Sequence, residues 1–433
     1  FTEFLEFTGP LQSMIRELGG FATSRDYWFP EVRSMTGAII VISFVLYPYV
    51  YLAVRSLFLL QGSKSVEAAR VLVAGQLRIF FKILLPMARP AVAIGVMLAL
   101  METLNDIGAV EHLGVQTLTL SVFAIWLNQD NLAGATQISL ILLAVAFLLV
   151  YAERKARKDR AFHENSGSAS ADTLFRIEPS NAGKLALTLA CLVPTLIGFG
   201  IPLYILGGFT YRYFYTLLDP NLMDALMTTA ALASIGALIT VICAILLAYT
   251  VRIAKSPLPH LIVRFSCLGY AIPGTIVALG IFLPLAALDN FMSTAVSHRF
   301  GFNWGLLLTG TGITLIYAYT VRFMAMAEGV VEGGMKKLSP NLDMAARSLG
   351  RSPVRILREV HIILLRPVVA VGFLLVFIEI TKELSATILL RPFGLNTLST
   401  YVYELASRAL VEEAGLASLI IVLLGTIPII LVS

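Results

Sequence analysis

Long apolar stretches, separated by shorter polar loops, recur along the chain from residue 35 to its last residue. A hydrocarbon core about 30 Å thick needs roughly 20 apolar residues for each helical crossing. The apolar runs do not alternate with polar residues, so we expect helices rather than the strands of a membrane barrel. The predicted crossings lie near 35–59, 91–110, 133–151, 183–207, 226–251, 265–288, 303–325, 367–388 and 413–433.

Composition excludes a water-soluble domain. Of the 433 residues, 58% are hydrophobic and only 14% are charged, and the mean hydropathy is +0.83. The cysteines Cys191, Cys243 and Cys267 fall inside apolar runs and lack the spacing of metal ligands. We therefore predict an all-α polytopic membrane protein surrounded by membrane lipids, with no nucleic acid as a partner.

Lysine and arginine concentrate in four of the loops between predicted crossings. Cytoplasmic loops carry an excess of these residues, so the four basic loops are predicted to be cytoplasmic. The intervening segments 1–34, 208–225 and 289–302 hold fewer basic residues and are predicted to face the other side. The basic residues of the four loops are Lys64, Arg70, Arg78, Lys82, Arg89, Arg154, Lys155, Arg157, Lys158, Arg160, Arg252, Lys255, Arg264, Lys336, Lys337, Arg347, Arg351, Arg355, Arg358 and Arg366.

A polar segment with the composition of a flexible linker divides the chain. The predicted domains are a first half, 1–153, a cytoplasmic linker, 154–182, and a second half, 183–433. The second half has about six predicted crossings and the first about three, and segment 1–34 occupies the same position before its crossing as 289–302 does before the seventh. We therefore expect the first half to lack three helices of a protein that has about twelve in full.

The two halves contain a repeated sequence. Glu67-Ala68-Ala69-Arg70 aligns with Met344-Ala345-Ala346-Arg347, and Arg89-Pro90 aligns with Arg366-Pro367. The offset is constant, since 344 − 67 and 366 − 89 each equal 277. The repeat lies between corresponding crossings in each half, which predicts parallel copies of one helical unit.

A long basic loop with helical character follows the first predicted crossing. It contains Glu67-Ala68-Ala69-Arg70 and Gly75, followed by Ile83 and Leu85-Pro86. This order resembles the EAA loop of ATP-binding-cassette (ABC) importer permeases, in which Glu-Ala-Ala is followed by three residues, Gly, nine residues, Ile, one residue and Leu-Pro. The loop departs from that pattern because Val73 occupies the glycine position.

The corresponding loop of the second half resembles the same motif. Ala345, Ala346 and Gly350 match it, and Arg347 follows the alanines. Small alanines let a short helix lie in a groove on a partner, and a glycine lets the chain turn where that helix ends. The departures are Met344 for Glu, Val360 for Ile, and Ile362-Ile363 for Leu-Pro.

The resemblance implies that both loops contact a separate ATP-hydrolysing subunit, with Arg70 and Arg347 available to pair with acidic groups on it. The alternative is a basic amphipathic loop that lies on anionic lipid. The chain has no phosphate-binding Gly-x4-Gly-Lys-Ser/Thr motif, because in Gly62-Ser63-Lys64-Ser65 a serine separates Gly from Lys. We therefore expect a transport subunit that is not an enzyme, with ATP and Mg bound by the partner.

The resemblance also implies the remaining partners. We expect two copies of the ABC ATPase subunit for one copy of this chain, because the chain carries both halves. A periplasmic or lipid-anchored substrate-binding protein would deliver the substrate. The implied location is the bacterial cytoplasmic (inner) membrane. Two other classes stay open: a secondary transporter built from parallel halves, which needs no ATPase, and a scaffold or channel subunit without coupled transport.

Two polar segments within the predicted crossings resemble the fused, double-length permeases for ferric iron. One runs from Met101 to Gly108 and is followed by Gln116-Thr117-Leu118; the other runs from Glu379 to Phe393 and is followed by Asn396-Thr397-Leu398. The resemblance implies a ferric ion as substrate. Permeases for thiamine, polyamines such as spermidine, phosphonates or sulfate are the alternatives.

Four carboxylates lie inside predicted crossings at equivalent positions of the two halves. Glu102 and Asp106 are four residues apart, as are Glu379 and Glu383, so each pair is predicted to share one helix face. The four could line a translocation pathway and bind a hard metal ion transiently, since carboxylate oxygens suit such ions. The alternative is a structural network in which Lys382 neutralises one glutamate and Asn105 satisfies Asp106.

Pro273 falls inside the sixth predicted crossing. A proline within a helix removes one backbone hydrogen bond and can bend the helix. Pro273 is therefore a candidate kink that lines a gate, with simple packing as the alternative.

Overall fold

All regular elements in the described part of the chain are helices, which confirms the all-α prediction. The computed structural model describes residues 1–71, 75–158, 180–254, 256–300 and 306–432. In chain order the helices are α1 (Thr2–Leu5), α2 (Pro10–Gly19), α3 (Met35–Val71), α4 (Gln76–Ile79), α5 (Leu85–Asn105), α6 (Gly108–His112), α7 (Leu118–Phe123), α8 (Leu132–Lys158), α9 (Asn181–Thr195), α10 (Ile201–Leu217), α11 (Pro220–Ile253), α12 (Leu258–Ser266), α13 (Gly274–Phe300), α14 (Ile313–Lys336), α15 (Pro340–Ser348), α16 (Pro353–Ile356), α17 (Ile362–Leu364), α18 (Arg366–Thr381), α19 (Ser385–Leu390), α20 (Leu398–Ser407) and α21 (Gly415–Val432).

Several of these helices are joined by single turns of wider or tighter winding. A π-helical turn holds one residue more than an α-helical turn and often occurs near functional sites. The interruptions are the π-helical turns Phe80–Leu84, Ala124–Asn128, Leu196–Gly200 and Leu357–His361 and the 3₁₀ turn Cys267–Ala271.

Within the described residues, six helical segments are long and apolar enough to cross a membrane. A seventh crossing results if Pro353–Leu364 and Arg366–Thr381, whose axes differ by 78°, form one bent span. The chain is therefore a multi-pass membrane protein, as its hydropathy predicts. The six segments are Met35–Leu59, Phe80–Asn105, Leu132–Ala152, Asn181–Phe214, Pro220–Ile253 and Gly274–Ala295.

The last three of the nine predicted crossings differ from the prediction. The helix expected at 367–388 is α18, which has 16 residues and follows the 78° bend. The helix expected at 413–433 contains the apolar stretch Gly415–Ile430, which is shorter than the six candidates. The bend and the short helices depend on long-range packing, which hydropathy alone does not report.

The bounds predicted for the crossing at 303–325 are wrong, because α14 begins only at Ile313. The loop before it is held by the buried carboxylate of Asp289 in α13. That carboxylate accepts hydrogen bonds from the backbone N–H of Leu308 at 2.9 Å and from that of Thr309 at 2.7 Å. Because the amides bond to a side chain 19 and 20 residues earlier, this apolar segment forms a loop instead of helix.

Residues 1–117 and 141–205 form one compact unit. In it α3 and α5 pack closely at Gly95, where a side-chain carbon would lie 2.5 Å from the Cα atom of Val50. Pro48 lies inside α3 beside this contact, and α3 continues through it as one helix. The absence of a side chain at Gly95 therefore lets the two helices cross at short range.

Residues 118–140 and 206–433 form the second compact unit, in which α11, α14 and α18 pack against one another. Alanines at helical spacing make up much of the buried face of α11, among them Ala233, Ala237, Ala244 and Ala248. Small side chains allow close approach of membrane helices, which explains this face.

The two units do not coincide with the predicted halves 1–153 and 183–433. Of the predicted linker 154–182, residues 154–158 belong to α8, and α9 begins at Asn181. Residues 159–179 lie outside the described part of the chain.

Candidate functional site

The second-half loop folds into a separate short helix, α15. The hydroxyl of Ser339 caps its N-terminus by accepting a hydrogen bond from the N–H of Asn341 at 3.3 Å. Pro340 occupies the first turn, where the N–H that proline lacks would have no helical partner. Arg347 lies in the last turn, where the helix dipole favours a positive charge.

Gly350 ends this helix. Its φ of +72° lies in the left-handed region that residues with a side chain disfavour. The N–H of Gly350 donates to the carbonyl of Arg347 at 2.9 Å, and the N–H of Arg351 donates to that of Ala346 at 3.1 Å. These two bonds form a Schellman motif, so the glycine of the EAA-like sequence is the residue at which the chain turns away.

The two faces of α15 differ in exposure. Asp343 and Ala346 are buried, whereas Ala345 and Arg347 are exposed. Met344 is 58% exposed, and beyond the helix Leu349 and Val354 are 80% and 76% exposed. Large exposed apolar side chains on a basic loop can contact another protein or a lipid surface.

The first-half loop has a different backbone. Glu67, Ala68, Ala69 and Arg70 lie near the C-terminal end of α3, which runs without a break from Met35 to Val71. The side chains of these four residues lie outside the described part of the molecule. Further along the loop, Gly75 is exposed with open space around its Cα atom, and Pro86 lies in the first turn of α5.

After the EAA-like residues, the two loops have elements at the same spacing as the sequence repeat. Helix α4 begins at residue 76 and α16 at residue 353, and the π-helical turns begin at residues 80 and 357. Both differences equal 277, because 353 − 76 and 357 − 80 give the same number. The backbone therefore has the same local winding where the two loops return to the membrane helices.

Arg252, at the C-terminal end of α11, contacts the second-half loop at four points. Its guanidinium lies 2.7 Å from a carboxylate oxygen of Asp343 in α15. It also donates to the carbonyl oxygens of Met335 at 2.6 Å, Leu338 at 3.0 Å and Ser339 at 3.2 Å. One side chain therefore holds the end of α14, the turn after it and the first turn of α15.

Asp343 has a second partner in His361, whose side chain is fully buried. Nε2 of His361 lies 2.7 Å from the other carboxylate oxygen of Asp343. Burial acts against ionisation of Asp343, but the hydrogen bonds from His361 and Arg252 hold the pKa of its carboxyl group below the usual value. We call Arg252, Asp343 and His361 the loop anchor.

The two carboxylates of the first half do not lie inside one continuous helix, because Asp106 is the residue that follows the last turn of the helix that carries Glu102. Glu102 lies in α5, within 3.4 Å of the Tyr49 hydroxyl. Helix α5 ends at Asn105, and Asp106 has extended backbone. The Asp106 carboxylate accepts a hydrogen bond from the N–H of Ala109 at 2.9 Å and thus caps α6.

The second half repeats this arrangement with an added ion pair. Helix α18 ends at Thr381, so Glu383 also lies beyond the helix that carries Glu379. The Glu383 carboxylate accepts from the N–H of Ala386 at 2.9 Å and from Arg322 at 2.8 Å, and both charged side chains are buried. Glu379 forms an ion pair with Lys382 at 2.9 Å, as the structural-network interpretation expects.

No preformed metal site was found for these carboxylates. Among the residues that the structure describes, no group of three His, Cys, Asp or Glu side chains could hold a metal ion. A transient metal-binding role for Glu102, Asp106, Glu379 and Glu383 thus remains a hypothesis. Asp106 and Glu383 already bind backbone amides, which gives both residues a structural purpose.

Pro273 does not kink a continuous helix, contrary to the prediction. The 3₁₀ turn ends at Ala271, Ile272 has extended backbone and α13 begins at Gly274. The carbonyl of Pro273 accepts from the N–H of Ile276 at 3.0 Å, so the proline precedes the first turn of α13. It therefore marks a complete break between two helices.

Sequence reasoning missed the partners of Glu383 and Asp343. Arg322 lies in an apolar helix, and an intramembrane charge is itself a signal for a buried partner. Arg252 was grouped with the basic loops, and Asp343 and His361 carried no motif. The two contacts of Asp343 span 91 and 18 residues, which no local pattern reports.

Comparison with known proteins shows which class of transport protein the chain resembles. Residues 27–157 match the family described as binding-protein-dependent transport system inner membrane component. The Fe(3+)-transport system permease protein FbpB 2 of Haemophilus influenzae is 26% identical over 412 residues, which cover 93% of this chain and 76% of that protein. Residues 27–157 thus resemble an inner-membrane component of a binding-protein-dependent transport system, and most of the chain is similar to a transport permease, in agreement with the resemblance of the EAA-like loops.

Its likeness to a permease named for ferric iron extends over most of the chain. Two other relatives carry different names. The putative 2-aminoethylphosphonate transport system permease protein PhnV of Salmonella paratyphi A is 25% identical over 50% of this chain and 76% of its own length. The molybdenum transport system permease protein ModB of Escherichia coli is 30% identical over 33% of this chain and 66% of its own length.

Proposed function

We propose that this chain translocates ferric iron, which a binding protein outside the membrane delivers, while a separate subunit hydrolyses ATP. The observation that carries the substrate is the similarity to a ferric iron permease over 93% of the chain. The polar segments that begin at Met101 and Glu379 agree with it. Phosphonate is the second candidate substrate, since a relative named for it aligns with half of the chain.

The ATPase subunit docks on the two EAA-like loops. On α15 the exposed side chains of Met344 and Arg347 supply apolar and basic contacts, and Leu349 extends this surface beyond the helix. In the first half the proposed contacts are Glu67 to Arg70, at the corresponding positions of the sequence repeat. One chain therefore binds two ATPase copies, each of which binds its own ATP and Mg.

Glu102 and Glu379 are the carboxylates that contact substrate along the pathway, whereas Asp106 and Glu383 mainly hold the short helices that follow them. This division rests on the geometry, because the carboxylates of Asp106 and Glu383 accept hydrogen bonds from backbone amides at the starts of those helices. Replacing Glu102 and Glu379 together by Gln keeps side-chain size and removes both charges. We expect iron uptake to fall strongly while expression and ATPase binding persist.

Uptake of radioactive ferric iron by vesicles that contain the complete complex tests the substrate. The vesicles hold this chain, the co-expressed ATPase and the binding protein, with 2-aminoethylphosphonate or molybdate as competitor. Uptake that needs ATP and resists both competitors supports the proposal. Uptake of the phosphonate alone would overturn the iron assignment and leave the permease assignment intact.

Co-purification and native mass spectrometry test the assembly. We expect one copy of this chain with two ATPase subunits. Iron uptake driven by an ion gradient without any bound ATPase would instead indicate a secondary transporter. Two copies of this chain in each complex would contradict the proposal that one chain supplies both loops.

A further inference from the structure

The loop anchor joins the proposed ATPase-docking helix to the membrane helices of its own unit. Arg252 belongs to α11, which packs against both α14 and α18. Its guanidinium bonds to Asp343 and to three carbonyl oxygens at the end of α14 and in the turn that follows. A planar guanidinium with several fixed acceptors has little freedom to rotate, so α15 is held firmly to α11.

The anchor also holds the far end of the loop. His361 ends the π-helical turn Leu357–His361, four residues before the 78° bend into α18. An ionised carboxylate can only accept, so His361 donates from Nε2 to Asp343. The hydroxyl of Tyr249, one turn before Arg252, donates to the carbonyl of Pro353 at 2.7 Å. Helix α11 thus contacts the start of the loop through Arg252 and its later part, at Pro353, through Tyr249.

Burial separates the anchor from ordinary surface ion pairs on the same loop. The side chains of Arg252 and Asp343 are 16% and 12% exposed, and that of His361 is fully buried. The pairs that Arg351 and Arg355 form with Glu359 involve side chains that are about half exposed. Exposed pairs contribute little because water competes for them, whereas a buried, multiply bonded pair resists displacement.

We propose that Arg252 is a positioning residue for energy coupling, which acts through Asp343 and His361. When the ATPase shifts α15, the anchor passes the displacement to α11 and, through His361, to the bend before α18. Without the anchor, α15 would still present its exposed face, but its movement would no longer reach the membrane helices. This inference rests on the proposal that α15 docks an ATPase.

The test uses the complete complex in lipid vesicles and compares Arg252→Gln, Asp343→Asn and the conservative Asp343→Glu. The control is Glu332→Gln, which removes an exposed ion pair between two residues of α14, Glu332 and Lys336, at 2.8 Å. For each variant we would measure ATPase binding, ATP hydrolysis, and iron taken up per ATP hydrolysed. A purely structural role would lower ATPase binding and ATP hydrolysis with the amount of folded protein and leave iron taken up per ATP unchanged, so this ratio is the decisive readout.

We expect Arg252→Gln and Asp343→Asn to retain ATPase binding and hydrolysis and to lower iron taken up per ATP severalfold. Asp343→Glu should recover part of the ratio, and Glu332→Gln should leave it unchanged. Should Asp343→Asn fail to accumulate, Arg252→Lys replaces it, because lysine keeps the charge but cannot make four contacts. An unchanged ratio in the Arg252 variants would contradict the proposed role of Arg252 in energy coupling. Failure of the wild-type chain to bind an ATPase would instead contradict the proposed function on which this inference rests.

Discussion

The loops after α3 and α14 have corresponding sequences but different backbones. In the first, α3 continues through Glu67 to Val71, whereas in the second α14 stops at Lys336 and a new helix starts at Pro340. At the 277-residue offset Pro340 corresponds to Ser63. A proline disfavours the helical region for the residue before it, and Ser339 indeed has a ψ of 134°. The proline at this position thus distinguishes a separate helix with its own capped end from a simple extension of a membrane helix.

The loops also differ in what fixes them. Asp343 and His361 correspond to Val66 and Leu84 at the same offset, and Arg322 corresponds to Val45. The second half therefore places ion pairs where the first has aliphatic residues. An ion pair specifies one direction and one partner, whereas apolar contacts tolerate sliding. Ion pairs of Asp343 define the position of the second loop, and the aliphatic residues Val66 and Leu84 of the first cannot form corresponding pairs.

The largest effect should come from removing Arg322. Replacing it by Met leaves Glu383 buried without its cation, which costs about 3–5 kcal/mol of unfolding free energy. Thermal unfolding of the purified protein in detergent should show a strongly lowered midpoint. The double change Arg322→Met with Glu383→Gln should recover much of the loss, and Val45→Met should have little effect. A small effect of Arg322→Met would mean that the ion pair of the second half contributes no more to stability than the aliphatic residue at the corresponding position of the first half.

Acid should remove the contribution of Asp343. Its folded-state pKa is lowered, so the stabilisation is present above the unfolded-state pKa of about 3.9 and is lost as the pH falls through the folded-state value. At neutral pH Asp343→Asn should cost about 1.5–3 kcal/mol, the usual range for hydrogen bonds to charged groups. The difference in unfolding free energy between wild type and variant should shrink as the pH falls below that value. A difference that stays constant would show that the charge of Asp343 is irrelevant.

The two loop glycines should respond differently to alanine. Gly350 has a φ of +72°, where a side chain costs about 1–2 kcal/mol, so Gly350→Ala should destabilise α15. Gly75 has open space around it and no such backbone angle, so Gly75→Ala should be nearly neutral. Limited proteolysis of the loop or amide hydrogen exchange would report the change. Equal sensitivity at both glycines would remove this distinction between the loops.

The smallest effect should come from the cap of α15. Ser339→Ala removes the hydroxyl that accepts from Asn341, which typically costs about 0.5–1 kcal/mol. Faster amide exchange in the first turn of α15, with unchanged exchange in α11, would match this expectation. Unaltered exchange would indicate that Pro340 and Asp343 suffice to begin the helix.

Sequence reasoning predicted the class, the helical fold and the long crossings, because length and hydropathy determine them directly. It failed at helix ends inside apolar segments. The four-residue spacing of Glu102 and Asp106 suggested one helix face, yet Asn105-Asp106 and Gly108 are turn-forming residues that signal the break. The contact between Arg252 and Asp343 in the loop anchor could not be predicted from the sequence. These residues are 91 positions apart and meet only because the helices pack together.

The π-helical turns Phe80–Leu84 and Leu357–His361 determine which side chains of the following helical segments face which neighbours, because they set the rotation of those segments about the helix axis. Each residue advances an α-helix by about 100°, and a π-helical turn absorbs one additional residue. Deleting one residue inside such a turn would convert it to ordinary α-helix and leave the side chains downstream facing their present neighbours. Deleting one residue elsewhere in α5 would rotate part of that helix by about 100° and turn lipid-facing side chains inward. The two turns are therefore the places where either loop could change length by one residue without misaligning the helix beyond it.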